Sequence, residues 1–195
     1  MRSFGATTDA ALVARGAIVP RVLVRITGKT RDTGAPVAVG FWNDGHDVTV
    51  TIDGSARTYA GAGGLLRVDP VIAEIGLTIR RQVIGMSPVS PEVIEAVRGY
   101  DARLAQVEIH RGFLDPATRA FLDPPHRIFL GQIDRISFPA GPGESVLEVE
   151  CESAARFLTK GLAGRYSDQN QRRRSDDRFF RHVDVSGAIP VVWGD

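Results

Sequence analysis

A single cysteine, Cys151, and two lysines, Lys29 and Lys160, stand in a chain of 195 residues. One thiol can build neither an intrachain disulfide nor a cysteine-based zinc or iron–sulfur centre. Ordinary burial must therefore supply the stability, and a reducing, cytosolic site of synthesis is expected. Long apolar runs are missing too: Val19 to Val24 is broken by Pro20 and Arg21, far short of the ~18–20 residues that cross a bilayer. The opening Met1-Arg2-Ser3-Phe4-Gly5 does not lead into an apolar leader, because Asp9, Arg15 and Arg21 follow, so secretion by that route is not expected. Nor is there an excess of one charge. The 24 Lys+Arg face 23 Asp+Glu, a net of +1, which argues against the whole protein being a strong DNA binder, although a balanced total can hide a polarised surface.

What is present is arginine, 22 of the 24 basic residues. Arginine makes bidentate and interface ion pairs while lysine is depleted at interface cores, so the bias points toward assembly. High genomic G+C would produce the same bias. The length fits one domain with an extension. Neither repeats nor low-complexity tracts occur.

Asp9 before Ala10-Ala11-Leu12-Val13-Ala14-Arg15-Gly16 reads as a short capped helix, a lead-in covering residues 1–17. From Ile18 the pattern alternates, with Val22, Val24 and Ile26 on one face and Arg21, Arg25 and Thr27 on the other, as a half-buried strand requires. Gly28 to Gly34 reads as a polar loop. Val37 to Trp42 and Val48 to Ile52 are strands, and Asn43-Asp44-Gly45-His46 between them has the composition of a hairpin turn. A short strand at Arg57-Thr58-Tyr59 follows, then strand signals from Leu65 through Val71, with Ile75, Leu77 and Ile79 in alternation.

Ser90-Pro91-Glu92 through Gly99 carries a full set of helix signals: cap, first-turn proline and acid, and a terminal glycine. Val93, Ile94 and Val97 make it one-sided, to pack on the sheet. Three more strands are expected at Ala105 to Phe113, Arg127 to Phe138 and Ser145 to Cys151, with a proline-rich turn at Pro139 to Gly143 before the last. Ala154 to Leu158 reads as a short helix.

Candidate chemistry is sparse. Asp44-Gly45-His46-Asp47 offers metal-ligand types but suits a turn better, and His110, His126 and His182 stand alone without ligand spacing. Gly61-Ala-Gly-Gly64 lacks the Lys-Ser/Thr ending of a phosphate loop and reads as a turn or bulge. Cys151, at a strand end, reads as a small buried hydrophobe, and Glu148 and Glu150 share the outer face of their strand. No catalytic, metal or cofactor site is expected.

After Gly164 the composition shifts. Residues 165–181 hold six Arg and three Asp, and Ile189 to Gly194 is an apolar end. Such a segment cannot bury itself and reads as an assembly arm, residues 164–195, ordered against a partner. Arg165, Arg172, Arg173 and Arg174 lie among Tyr166, Phe179, Phe180 and Trp193, the mixture of an interface hot spot. It would also serve nucleic-acid binding through phosphates and stacking.

Several strings carry a resemblance: Tyr59-Ala-Gly-Ala-Gly-Gly-Leu-Leu66, Arg103-Leu-Ala-Gln-Val-Glu-Ile-His110, Phe129-Leu-Gly-Gln-Ile-Asp134, and the tail from Arg165-Tyr-Ser-Asp-Gln-Asn-Gln171 through Ile189-Pro-Val-Val-Trp-Gly194. Over roughly Val19 to Gly194 the chain resembles tail-tip (baseplate) hub proteins of long-tailed bacteriophages and gene transfer agents. The resemblance implies a mainly β (α+β) fold, a tail-tube-like β-barrel or sandwich over residues 18–163, with one flanking helix and an extended C-terminal arm. It further implies a non-enzymatic structural protein of the virion, made in the host bacterial cytoplasm and located at the tail tip. There a homo-oligomeric ring, expected as a trimer ahead of a hexamer, would link tail tube and distal tail to the tip proteins. The ring would enclose the channel and meet DNA only in passage during ejection, without a membrane anchor. Some related hubs hold an iron–sulfur cluster on C-terminal cysteines. With Cys151 alone, this chain departs from that pattern and no cofactor is carried over.

Three other readings compete. A hexameric distal-tail ring differs only in stoichiometry and neighbours. A tail-associated cell-wall-degrading enzyme would need a Cys–His pair, a zinc set or paired carboxylates, and only unpaired candidates occur. An Arg-dependent nucleic-acid-binding module would use Arg172 to Arg174 and show a steep salt dependence.

Overall fold

A computed structural model describes residues 4–61, 63–72, 78–138, 146–159, 161 and 167–182. It divides into two compact units, Met1–Leu158 and Thr159–Asp195. In chain order the first unit holds α1 (Ala6–Val13), β1 (Val19–Thr30), β2 (Pro36–Trp42), β3 (Val48–Ile52), β4 (Ser55–Tyr59), β5 (Leu65–Val68), β6 (Arg81–Met86), α2 (Pro91–Gly99), β7 (Tyr100–Leu114), β8 (His126–Ser137) and β9 (Leu147–Ser153). The short helix α3 (Arg156–Thr159) follows at the boundary, and α4 (Asp168–Arg172) lies in the second unit.

Seven strands pair antiparallel in the order β2-β1-β7-β8-β9-β6-β5, and β3 and β4 form a separate two-stranded ribbon. The large sheet curls into a half-barrel, so the mainly β, barrel-or-sandwich expectation takes the form of a curled sheet with one ribbon and one amphipathic helix against it. Alternation explains the packing. On β1, Val24 turns to the cluster formed with Phe41, Ile84, Val107, Ile109, Val149 and Cys151, while adjacent Leu23 joins a second cluster of Trp42, Ile52, Tyr59 and Leu114. Both residues are fully buried. The half-buried strand expected at β1 is therefore buried on both faces, because the ribbon covers the side that was read as polar.

Two turns direct this arrangement. The expected hairpin between Val37 to Trp42 and Val48 to Ile52 does not form: β2 pairs with β1, and β3 with β4. The turn chemistry that closes the ribbon is Asp53-Gly54, both with positive φ (51° and 75°) between partners Ile52 and Ser55, as a two-residue primed turn demands. Asn43 to Asp47 instead ties elements together. The Val22 N–H donates to Asn43 Oδ1 (2.8 Å), the Gly61 N–H donates to Asp47 Oδ1 (3.0 Å), and Asp44 pairs with Arg21 (2.8 Å) and Arg119 (3.0 Å). Gly40 lets the ribbon lie close, since a Cβ there would meet the Thr58 carbonyl and the Tyr59 ring.

Other boundaries shift for local reasons. The polar stretch from Gly28 is still strand as far as Thr30, held by Lys29 opposite both Pro36 and Asp101. β6 was not anticipated: its inward Gln82 breaks the apolar alternation, and its side-chain amide donates to the Asp69 carbonyl (2.6 Å). Thr78 to Arg80 are not strand, and Ile75 and Leu77, like the turn Pro139 to Gly143, lie outside the described residues. The first helix starts at Ala6 and its N-cap is Gly5, not Asp9. Asp123 supplies the carboxylate, accepting the Thr8 N–H at 2.6 Å. α2 begins at Pro91 as read, with Val93 buried, but the Ser90 hydroxyl donates to Glu92 Oε2 (2.5 Å) and caps no helix amide.

If the ribbon is held chiefly by the second cluster, Ile52→Ala should lower unfolding stability by about 2–4 kcal/mol. Hydrogen exchange should then rise first at Val48 to Tyr59 while β7 to β9 stay protected; uniform loss of protection across the sheet would show that the two clusters unfold as one.

Candidate assembly surface

The second unit carries the candidate residues that can be described. Arg172 closes α4 and pairs with Asp168 one turn earlier (2.7 Å). Ser167 caps this helix by accepting the Asn170 N–H (3.3 Å). Arg173 is its C-cap, and the Arg174 N–H donates to the Gln171 carbonyl. Asp177 accepts from the Gln171 side chain and the Phe179 N–H, which fixes the backbone before two aromatic residues. Phe179 and Phe180 then meet edge to face at 5.1 Å, and Phe179 remains 79% exposed. Arg165, Tyr166 and Trp193 lie outside the described residues. The arginines are thus engaged locally in part, and the feature that stands out is an aromatic tip in which Phe179 is presented to solvent and Phe180 is half-buried.

A second apolar feature lies on the first unit and has no sequence motif. Between α2 and the adjoining ends of β8 and β9 runs a groove of about 130 Å³ lined by Pro88, Val93, Ile94, Val97, Phe138 and Leu147, with Arg98 on its rim. Phe138 and neighbouring Val89 are exposed beside it. Its residues come from three distant stretches of chain, so only the fold brings them together.

The outer face of the sheet is charged and matched. Glu148 meets Arg67 (3.2 Å), Glu150 meets Arg135 and Arg81, and Arg156 bridges Asp134 (2.9 Å) and Glu152. Glu148 and Glu150 do share this face, as their spacing required. Cys151, next to Glu150, points into the core, and burial pushes its thiol up to about 12. It is not a poised nucleophile.

Where the ribbon covers β7 the polar groups are buried instead. Arg57 of β4 donates to Glu108 at 2.7 Å, both side chains being 14% exposed, and Arg127 approaches the same carboxylate (3.9 Å). Burial by itself would raise the Glu108 carboxyl, but the Arg57 hydrogen bond and charge outweigh it and hold the group below its ordinary value. His110 is 1% exposed, its Nε2 lies 3.8 Å from Glu108, and neither ring nitrogen has a hydrogen-bond partner among the described residues. Burial lowers it to about 4, with Arg57 and Arg127 adding to the effect against the opposing pull of Glu108. A neutral imidazole buried to this degree is shut off from proton exchange with solvent. Among the described residues no group of three or more His, Cys, Asp or Glu is placed to hold a metal ion, and no helix is long and apolar enough to cross a membrane.

Comparison with known proteins adds a fold. No protein-family model matches the chain, and no relative is found among curated proteins. Among solved structures it is similar to a chain of the virion of a native gene transfer agent particle, with a TM-score of 0.53 and 19% sequence identity. The likeness covers 84% of this chain and 50% of the other, so this chain spans about half the length of the one it matches. The two share a fold.

His110 gives this region a defined pH response. Its folded value lies below the ordinary 6.5, so its contribution is present above pH 6.5 and is lost as the unfolded chain takes up a proton that the folded one refuses. Stability should fall by about 2 kcal/mol between pH 7 and pH 5. Glu108 adds a loss only below the ordinary carboxylate range. Urea unfolding of His110→Phe across that window should show a flatter slope by about one proton; an unchanged slope would mean that the imidazole is hydrated in solution.

Proposed function

We propose that the protein is a structural component of a phage-type virion, a ring-forming hub at the tip of a long non-contractile tail. The observation that carries this reading is the fold shared with a gene transfer agent virion chain, supported by the residue strings that resemble tail-tip hubs. In this reading the half-barrel is one segment of a ring that surrounds the DNA channel and joins tail tube and distal-tail proteins to the tip proteins. A trimer is the expected state ahead of a hexamer. No catalysis is assigned to it.

The physical features agree with that role. A ring subunit must offer different, complementary surfaces to its two neighbours, closing at a fixed rotation. The large sheet ends in two edge strands, β5 and β2, the latter already bonded to Ala60 at its Gly40 and Trp42 end, and an uncovered edge favours pairing with another chain. The matched ion pairs on the outer face leave no strong excess of positive charge, and a face of that kind would let a polyanion pass without holding it.

Native mass by light scattering, with imaging of the same fraction, tests the reading: a closed ring is expected, its subunit count separating three from six. For the arm, a chain ended after Gly164 should keep the unfolding transition of the first unit and lose incorporation into tails. Equal incorporation of the shortened and full chains would remove the arm from assembly. DNA binding with a steep salt dependence, abolished by changing Arg172 to Arg174, would favour the nucleic-acid module instead.

A further inference from the structure

Building on the ring-forming reading above, we propose that the groove between α2 and β8 is the receptor for the Phe179–Phe180 tip of a second copy of this chain. The contact is heterologous: each subunit gives its tip to one neighbour and its groove to the other, the geometry that closes into rings.

Size, exposure and charge argue for this occupant. The groove holds about 130 Å³, and a cavity of roughly 150 Å³ accepts one benzene ring. Phe179 is 79% exposed, and its edge contact with Phe180 together with the Asp177 cap on its N–H presents the ring from a fixed backbone. An aromatic plug seated in a desolvated pocket is the usual anchor of a protein interface. The charges around plug and pocket match in sign. Arg98 stands on the groove rim and Glu95 is exposed one turn earlier on α2. Beside the plug are exposed Asp176, 73% accessible and only loosely held by Arg178 (3.9 Å), and exposed Arg181. Asp176 can thus meet Arg98 while an arginine of the tip meets Glu95. Seating the ring would also cover Phe138 and Val89, 61% and 78% exposed on the groove's flank.

Cross-linking between differently tagged full-length chains tests the contact. One chain carries Val89→Cys on the groove's flank and the other His182→Cys beside the tip, both exposed positions that leave Phe138 and Phe179 in place, so fold and contact are spared. Cys151 stays silent because it is fully buried. A short bismaleimide should link the mixture at least fivefold more than either variant alone. Arg98→Asp in the groove partner should abolish most of this, and Asp176→Arg in the tip partner should restore it. A mixture no more linked than the separate variants, or linking indifferent to the charge reversal, overturns the proposal. Native mass of Phe179→Glu separates the two levels of inference. Loss of the oligomer supports the docking. An intact ring refutes the docking and leaves the ring-forming reading standing, whereas a wild-type chain that neither links nor assembles and stays out of tails removes both.

Discussion

Burial of β1 on both faces is the constraint from which the rest of the structure follows. Leu23 and Val24 are neighbours in sequence, lie on opposite faces of one strand, and are both fully excluded from water. That outcome requires a layer on each side. On one side the curled sheet and α2 provide it, with Val93 as the helix's buried contact. On the other side only the β3–β4 ribbon is available, so Gly40 must lack a side chain and Trp42 must anchor the loop that launches the ribbon, its indole N–H donating to the His46 carbonyl. Covering β7 in the same stroke buries Glu108 and His110, and Arg57 of the ribbon then becomes the partner that Glu108 cannot do without. A buried carboxylate stripped of its partner costs several kcal/mol, so the ribbon is fixed in register by charge as well as by apolar contact.

Much of this architecture was legible in the residues, and the failures have physical causes. α2 was readable because Pro91, Glu92 and Gly99 are local signals with local mechanisms. β7 to β9 were readable because their alternation is strong over many residues. β6 was not, since a buried polar residue satisfied by a distant carbonyl looks like an outward position. The hairpin at Asn43 to His46 was misassigned because turn composition reports only that the chain can bend. Which strands then pair depends on partners elsewhere, here Val22, Gly61, Arg21 and Arg119, that no short window contains.

The same division applies to the candidate assembly surface. The arginine and aromatic bias of the C-terminal stretch was visible as composition, and the structure resolves it into a small capped helix and an aromatic pair of which Phe179 is exposed. The groove was invisible, because Pro88, Ile94, Phe138 and Leu147 become neighbours only when α2 lies along the sheet. The Arg57–Glu108–His110 cluster was likewise hidden. Its one sequence trace is a charged residue two positions before a tyrosine in a short strand, which is unremarkable until the ribbon folds over.

The abundance of arginine can now be weighed. The ion pairs on the outer face involve side chains such as Arg67, Arg81 and Arg135 that are more than half exposed, and such pairs contribute at most about 1 kcal/mol each. They cannot be the source of the fold's stability, which rests on the two apolar clusters. Their effect is on the surface: a sheet face carrying alternating, mutually neutralised charges resists indiscriminate apolar stacking without building a strong field. A net charge of +1 gives little long-range repulsion between copies, and weak repulsion favours association. Apolar contact is then left to separate exposed side chains, among them Val13, Leu66, Ile72, Phe157 and Leu158 as well as Phe138 and Val89 beside the groove and Phe179 at the tip. Where repulsion is weak and exposed apolar surface is scattered over single side chains, geometry decides which of them meet.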